Sequence, residues 1–206
     1  MTGWVRREYG GIGVTQYRPG PHLAAVQEPY QGKVLLCIDI SGSMAERAGL
    51  RTRLEEAKRG ARQFVEEAIV AHYKVGLVLW NHTMAVHVPL SADSAKLETV
   101  LRAARPTGGT DIVPTLELGV RELGHLTGDR VMAIFGDGDL GPREAAVRAA
   151  REVARHGIRI VTRGLGPASA RDLAEIATAD GAADAIESGD IASGIAAMVK
   201  AVTIRR

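Results

Sequence analysis

The seven residues from Val34 to Ile40 (VLLCIDI) are apolar except for one aspartate, and this run limits the fold more than any other feature of the chain. A strand with one wet face alternates apolar and polar residues. A continuous short run instead fits a strand buried on both faces, the situation of a parallel sheet covered by helices. The rest of the chain supplies such cover. Arg53 to Val70 reads as a helix, with Leu54, Ala57, Ala61, Phe64, Val65 and Ala68 on one face. Val131 to Phe135 is a further buried strand, and Ile158 to Arg163 another.

The remaining elements follow the same alternation. Lys74 to Trp80 and Met84 to Leu90 are β-rich runs joined by Asn81-His82-Thr83, which predicts a hairpin and so one antiparallel edge strand. Helices are predicted over Asp93 to Ala104, Pro114 to Leu126, Pro142 to His156, Ala170 to Thr178 and Ile191 to Ile204, with a short strand at Ala183 to Ile186. Gly157 stops the fourth of the chain's six predicted helices. The expectation is an α/β domain from residue 33 to 206 with a mostly parallel sheet and helices on both faces. Residues 1–32 are punctuated by Gly and Pro and read as an arm of short extended segments against the domain edge.

Composition removes several function classes. Twenty-six basic and 24 acidic residues nearly cancel, to +2, and they intermingle along helix faces, so no charged partner is indicated. Aromatic residues make up 4%, too few for a stacking platform for nucleic acid. The single cysteine, Cys37, lies in the first buried run and reads as a small core residue without a disulfide. No apolar signal segment and no membrane-length run occur, and the expectation is a soluble cytoplasmic protein. Gly10-Gly11-Ile12-Gly13 has no buried strand before it and no helix after it, so it is no dinucleotide fingerprint. Neither a phosphate-binding GxxxxGK[ST] loop nor a Gly-x-Ser-x-Gly nucleophile turn is present.

Ligands of open α/β sheets bind at the carboxyl ends of the strands. Three polar segments fall there. Asp39-Ile40-Ser41-Gly42-Ser43 follows the first strand, and its alternation lets an extended turn point three oxygens the same way. Thr107-Gly108-Gly109-Thr110-Asp111 is the second segment, and Asp137 after the third buried strand is the last. Hydroxyls and carboxylates are hard donors suited to Mg²⁺ or Mn²⁺ in six-fold coordination. Against this stands the plainer reading of Asp39, Ser41 and Ser43 as a turn and helix cap. Asp111 and Asp139 read as solvated loop carboxylates, Trp80 and Phe135 as core, and His72, His82, His87, His125 and His156 show no ligand spacing.

Asp39-Ile40-Ser41-Gly42-Ser43 resembles the DxSxS signature of the von Willebrand factor type A family, which includes integrin I domains. Thr110 resembles the family's distant threonine, and Asp137-Gly138 its later Asp-Gly. The resemblance spans Lys33 to Val202. It implies a three-layer, Rossmann-like fold with a six-stranded sheet in the order 3-2-1-4-5-6. It also implies a metal-ion-dependent adhesion site. In such a site Ser41 and Ser43 bind the metal directly and Thr110 binds directly or through water. Asp39 and Asp137 act largely through water and hydrogen bonds, and the last position goes to a Glu or Asp of a partner protein. Cytoplasmic bacterial members work beside AAA+ ATPases or in multi-component assemblies. One departure stands out: Gly136 occupies the place where the family usually has Thr or Ser.

The expected function is therefore metal-dependent protein binding, not catalysis, with Mg²⁺ held by Asp39, Ser41, Ser43, Thr110 and Asp137, and no nucleic acid or membrane as partner. The competing enzyme reading is a haloacid-dehalogenase-like phosphatase with Asp39 as nucleophile. That family resembles this chain in its first aspartate and in Gly136-Asp137-Gly138, but it usually has an acid two residues on, where this chain has Ser41.

Overall fold

The computed structural model describes residues 31–91, 93–178, 184–186 and 191–203. The predicted arm therefore lies outside the described residues, apart from Gln31 and from Gly32, which opens the first strand. Strand β1 (Gly32–Asp39) sits in the middle of the sheet. On one side it pairs with β4 (Tyr73–Trp80) and on the other with β6 (Arg130–Gly136), both parallel. Beyond β4 lies antiparallel β5 (Met84–Ser91), the predicted hairpin partner. Beyond β6 lies parallel β7 (Arg159–Leu165), and a strand of only three residues, β8 (Asp184–Ile186), closes that edge. The order β5-β4-β1-β6-β7-β8 is the one the resemblance implies.

The double-sided burial expected of β1 is visible residue by residue. Val34, Leu36 and Ile38 enter one core cluster, while Leu35 and Cys37 enter the other. The first cluster is filled by α1 (Arg53–Val70), α2 (Ser94–Ala103) and α6 (Ile191–Thr203). The second is filled mainly by α3 (Val113–Leu123) and α4 (Arg143–Arg155), with Leu173 of α5 (Gly166–Ala174). Cys37 is wholly buried, and burial pushes its thiol far above the ordinary range, so it is an inert core residue.

Two local features differ from the sequence reading. A small hairpin, β2 (Arg47–Ala48) with β3 (Arg51–Thr52), turns through Gly49 at φ +70°. Its strands are too short to show any period, and Gly49 was the one available signal. Helix α5 begins at Gly166, with Pro167 preset in its first turn, and not at Ala170. Residues 175–177 leave the helix through i to i−3 bonds such as Glu175 N–H to Asp172 O, and Thr178 N–H donates to Ile160 O. Helix α1 starts as a capping box: Thr52 Oγ1 accepts from Glu55 N, and Glu55 Oε2 accepts from Thr52 N at 2.8 Å.

At the end of the sheet away from the strand carboxyl termini, Asp129 forms an ion pair with Arg159 at 2.7 Å. Arg159 also donates to Val202 O at 2.6 Å, and Tyr73 donates to the same carbonyl. Cations suit the last turn of a helix, so these groups fix the end of α6. Along its length α6 lies close against α1. A methyl group on Gly60 would run into the backbone of Ala192 and the side chain of Ile195. Elsewhere in an exposed helix Gly→Ala stabilises by roughly 0.5–1 kcal/mol. Here Gly60→Ala should destabilise, by about 1–3 kcal/mol for overpacking. Urea denaturation of the two proteins checks this, and a midpoint that rises would show the helix contact to be loose.

Candidate functional site

The site is built where β1, β4 and β6 end. Asp39 closes β1 with no solvent exposure. Its Oδ1 accepts the backbone N–H of Ser41 at 2.7 Å, which folds the chain back over the carboxylate. Gly42–Ala45 then makes one 3-10 turn, with Met44 wholly buried as its anchor. This turn leaves the hydroxyls of Ser41 and Ser43 3.1 Å apart. Ser43 also donates to Asp137 Oδ2, from the loop after β6. Asp39, Ser41, Ser43 and Asp137 are thus joined in one hydrogen-bonded cluster.

The second loop is tied to the first by backbone bonds. Thr107 N donates to Ile40 O at 2.7 Å, and Gly42 N donates to Gly108 O at 3.0 Å. Thr110 rides on this loop, half-buried, but its hydroxyl makes no hydrogen bond to the other four residues. Asp111 Oδ1 accepts Val113 N at 2.9 Å within the turn that leads into α3. Asp139 Oδ1 accepts Gly141 N at 2.9 Å within its own turn. Both extra carboxylates have structural duties, in line with the plainer reading of them.

Three supporting residues escaped the sequence reading. Asn81, 4% exposed, donates from Nδ2 to Thr107 O at 2.9 Å, and its backbone carbonyl accepts Asp111 N at 2.8 Å. The sequence marks it only as part of a turn, and its one signal is an Asn directly after a buried strand. Ser169 of α5 donates to Asp137 O and packs against Gly138, whose φ of +98° and tight surroundings exclude a side chain. Trp80, at the end of β4, explains the departure at Gly136. A Cβ on Gly136 would lie 3.1 Å from the indole Cζ2 and 3.3 Å from Asp39 Oδ2. The indole fills the space that a Thr or Ser would need.

The chemistry of this donor set suits a hard divalent ion. Among the described residues no three His, Cys, Asp or Glu side chains group to hold a metal, so a cation here would have to rest on hydroxyls with carboxylate support. The 3.1 Å between the serine oxygens matches adjacent corners of an octahedron. With Mg²⁺–O bonds of ~2.1 Å those corners are about 3.0 Å apart. The same geometry is poor for an aspartyl nucleophile, because Asp39 is buried and turned onto the Ser41 amide.

Burial raises the Asp39 carboxyl to about 6 from an ordinary 3.8. The N–H and hydroxyl of Ser41 oppose the rise, and the nearby charge of Asp137 adds to it. In metal-free protein the folded state therefore holds this proton more tightly than the unfolded chain. Stability contributed by Asp39 is present below about 4 and lost as pH rises through about 6, by up to ~3 kcal/mol. Denaturation across this window should show Asp39→Asn losing that decline. Parallel pH profiles for the two proteins would refute the assignment.

Comparison with known proteins agrees with the architecture. The family model described as von Willebrand factor type A domain matches residues 34–139. Comparison with curated proteins gives no match. Among solved structures, the conserved hypothetical protein BatB from Bacteroides thetaiotaomicron superposes with a TM-score of 0.72 at 21% identity, over 84% of this chain and 97% of that one. The vWF domain of the type V pili tip protein Mfa5 from Porphyromonas gingivalis gives 0.74 at 14% identity, over 86% and 97%. The pilus adhesin SpaC from Lactobacillus rhamnosus GG gives 0.72 at 14% identity, over 84% of this chain and 30% of that chain. At these identities the likeness shows the fold. With the matched segment running from the first residues of the central strand to the loop after β6, the chain belongs to the von Willebrand factor type A domain family.

Proposed function

We propose that this domain is a protein-binding module that takes up one Mg²⁺ at Asp39, Ser41, Ser43, Thr110 and Asp137 and uses it to hold an acidic side chain of a partner. Domains of this family are typically interaction or adhesion modules. The observation that carries the reading here is the pair of serine hydroxyls held 3.1 Å apart over the buried Asp39, with Asp137 against Ser43. Ser41 and Ser43 would supply neutral oxygens. Asp39, from beneath, would orient the Ser41 backbone and balance charge, and Asp137 would orient the Ser43 hydroxyl. Thr110 would complete the donor set from the second loop.

A bound Mg²⁺ would supply a Lewis-acidic position for an outside carboxylate, and Mn²⁺ has the same preference for oxygen donors. Neutral donors outnumber carboxylates in this set, which keeps the position attractive to a Glu or Asp. The exposed rim, not the single carboxylate contact, would set the identity of the partner. A partner within a multi-component assembly, such as one containing an AAA+ ATPase, and a cytoplasmic setting fit this reading. No helix among the described residues is long and apolar enough to cross a membrane.

Calorimetric titration of EDTA-treated protein with Mg²⁺ and Mn²⁺, with millimolar acetate present to complete the coordination shell, tests the reading. One ion per chain should bind. The Ser41→Ala/Ser43→Ala protein should lose at least tenfold in affinity while keeping its fold by circular dichroism. Binding that is undiminished in the double variant, or absent from the parent protein, would remove the metal from the function.

A further inference from the structure

Asp39 and Trp80 are register partners on neighbouring parallel strands and belong to the same face of the sheet. Ile38 pairs with Phe135, which sets Gly136 alongside Asp39 on the other side. Strands lie about 4.8 Å apart, so β4 and β6 are separated by roughly twice that. Yet the indole of Trp80 comes within van der Waals reach of Gly136. It therefore extends across β1, next to the Asp39 carboxylate. A glycine at 136 makes this possible.

Two hydrogen-bonding groups in this place are poorly served. The indole Nε1–H of wholly buried Trp80 has no acceptor among the described residues. Among the described residues, the amide that reaches Oδ2 of wholly buried Asp39 is that of Asp137, at 3.5 Å, the outer limit of a hydrogen bond. A buried donor and a buried carboxylate oxygen each left short cost free energy of the order of 1–3 kcal/mol. Buried waters typically bridge such pairs. Nε1 and Cζ2 share one long edge of the indole, and Cζ2 and Asp39 Oδ2 converge on the same point above Gly136, at 3.1 and 3.3 Å.

We propose that Trp80 is a positioning residue of the site, whose indole N–H donates through one ordered water to Oδ2 of Asp39. Gly136 and Trp80 then act as a pair. The glycine leaves room for the indole, and the indole N–H brings a donor towards the Asp39 carboxylate from the neighbouring strand. The bond stands on the Trp80–Asp39–Gly136 geometry alone. Its consequence for cation affinity rests on the metal reading above.

The test uses the full chain in a Trp4→Phe background, which leaves a single indole N–H resonance in a ¹H–¹⁵N spectrum. Asp39→Asn keeps the shape and a polar amide able to hold the bridging water, whereas Asp39→Leu fills the volume with no polar group. The indole proton should stay near its parent position in the Asn variant and move upfield in the Leu variant. An unmoved resonance in a folded Leu variant overturns the proposal. Trp80→Phe supplies a second arm, since it keeps most of the ring packing and removes the N–H. Mg²⁺ affinity should fall about tenfold in that variant, the usual cost of losing a group that orients a ligand. Unchanged affinity there would also overturn it. Should the parent protein bind no Mg²⁺, the metal function fails, and the indole resonance still decides the Trp80–Asp39 bond.

Discussion

A carboxylate buried at the end of the central strand is the constraint around which the top of this molecule is arranged. Asp39 has no contact with solvent, and an ionised carboxylate in such a place is costly unless donors surround it. The Ser41 amide is placed 2.7 Å from it only because the chain reverses directly after β1. That reversal produces the 3-10 turn, and the turn sets the spacing of the Ser41 and Ser43 hydroxyls. Asp137 approaches from β6 and adds a second negative charge to an already unfavourable one. Two carboxylates close to a pair of hydroxyls 3.1 Å apart form the arrangement that the proposed cation would stabilise.

Much of this was legible in the sequence, for reasons that differ between elements. The run Val34 to Ile40 could be assigned because double-sided burial removes polar residues from both faces of a strand, and the two core clusters divide its side chains accordingly. The hairpin of β4 and β5 was legible from its turn residues, and α1 from its apolar stripe. Asp39, Ser41, Ser43 and Asp137 could be grouped because each lies just after a strand that β-sheet topology brings to the centre. What stayed hidden depends on tertiary contact. Asn81 earns its role by bonding to two backbone groups of a loop some 26 residues away in sequence, which no local pattern encodes. Trp80 was read correctly as core, but its reach across β1 depends on a glycine that only the sheet register places beside it. The start of α5 was missed because Pro167 reads equally as a loop residue and as a first-turn residue.

The two ends of the sheet divide their tasks. At the amino-terminal end of β1, Arg159 and Asp129 satisfy each other and the last carbonyls of α6, so charge there is consumed in fixing a helix. At the carboxyl end the loops are held mainly by neutral bonds: Thr107 to Ile40, Gly42 to Gly108, Asp111 to Asn81. None of these uses the hydroxyls of Ser41, Ser43 or Thr110. The loops therefore owe their positions to backbone pairing and the buried Asn81, while the Ser41 and Ser43 hydroxyls bond to each other and Ser43 to Asp137. A site ordered in this way spends little of its binding free energy on arranging itself. On the proposed reading, cation affinity would then depend on the charge around Asp39 and Asp137 and on the carboxylate that arrives from outside.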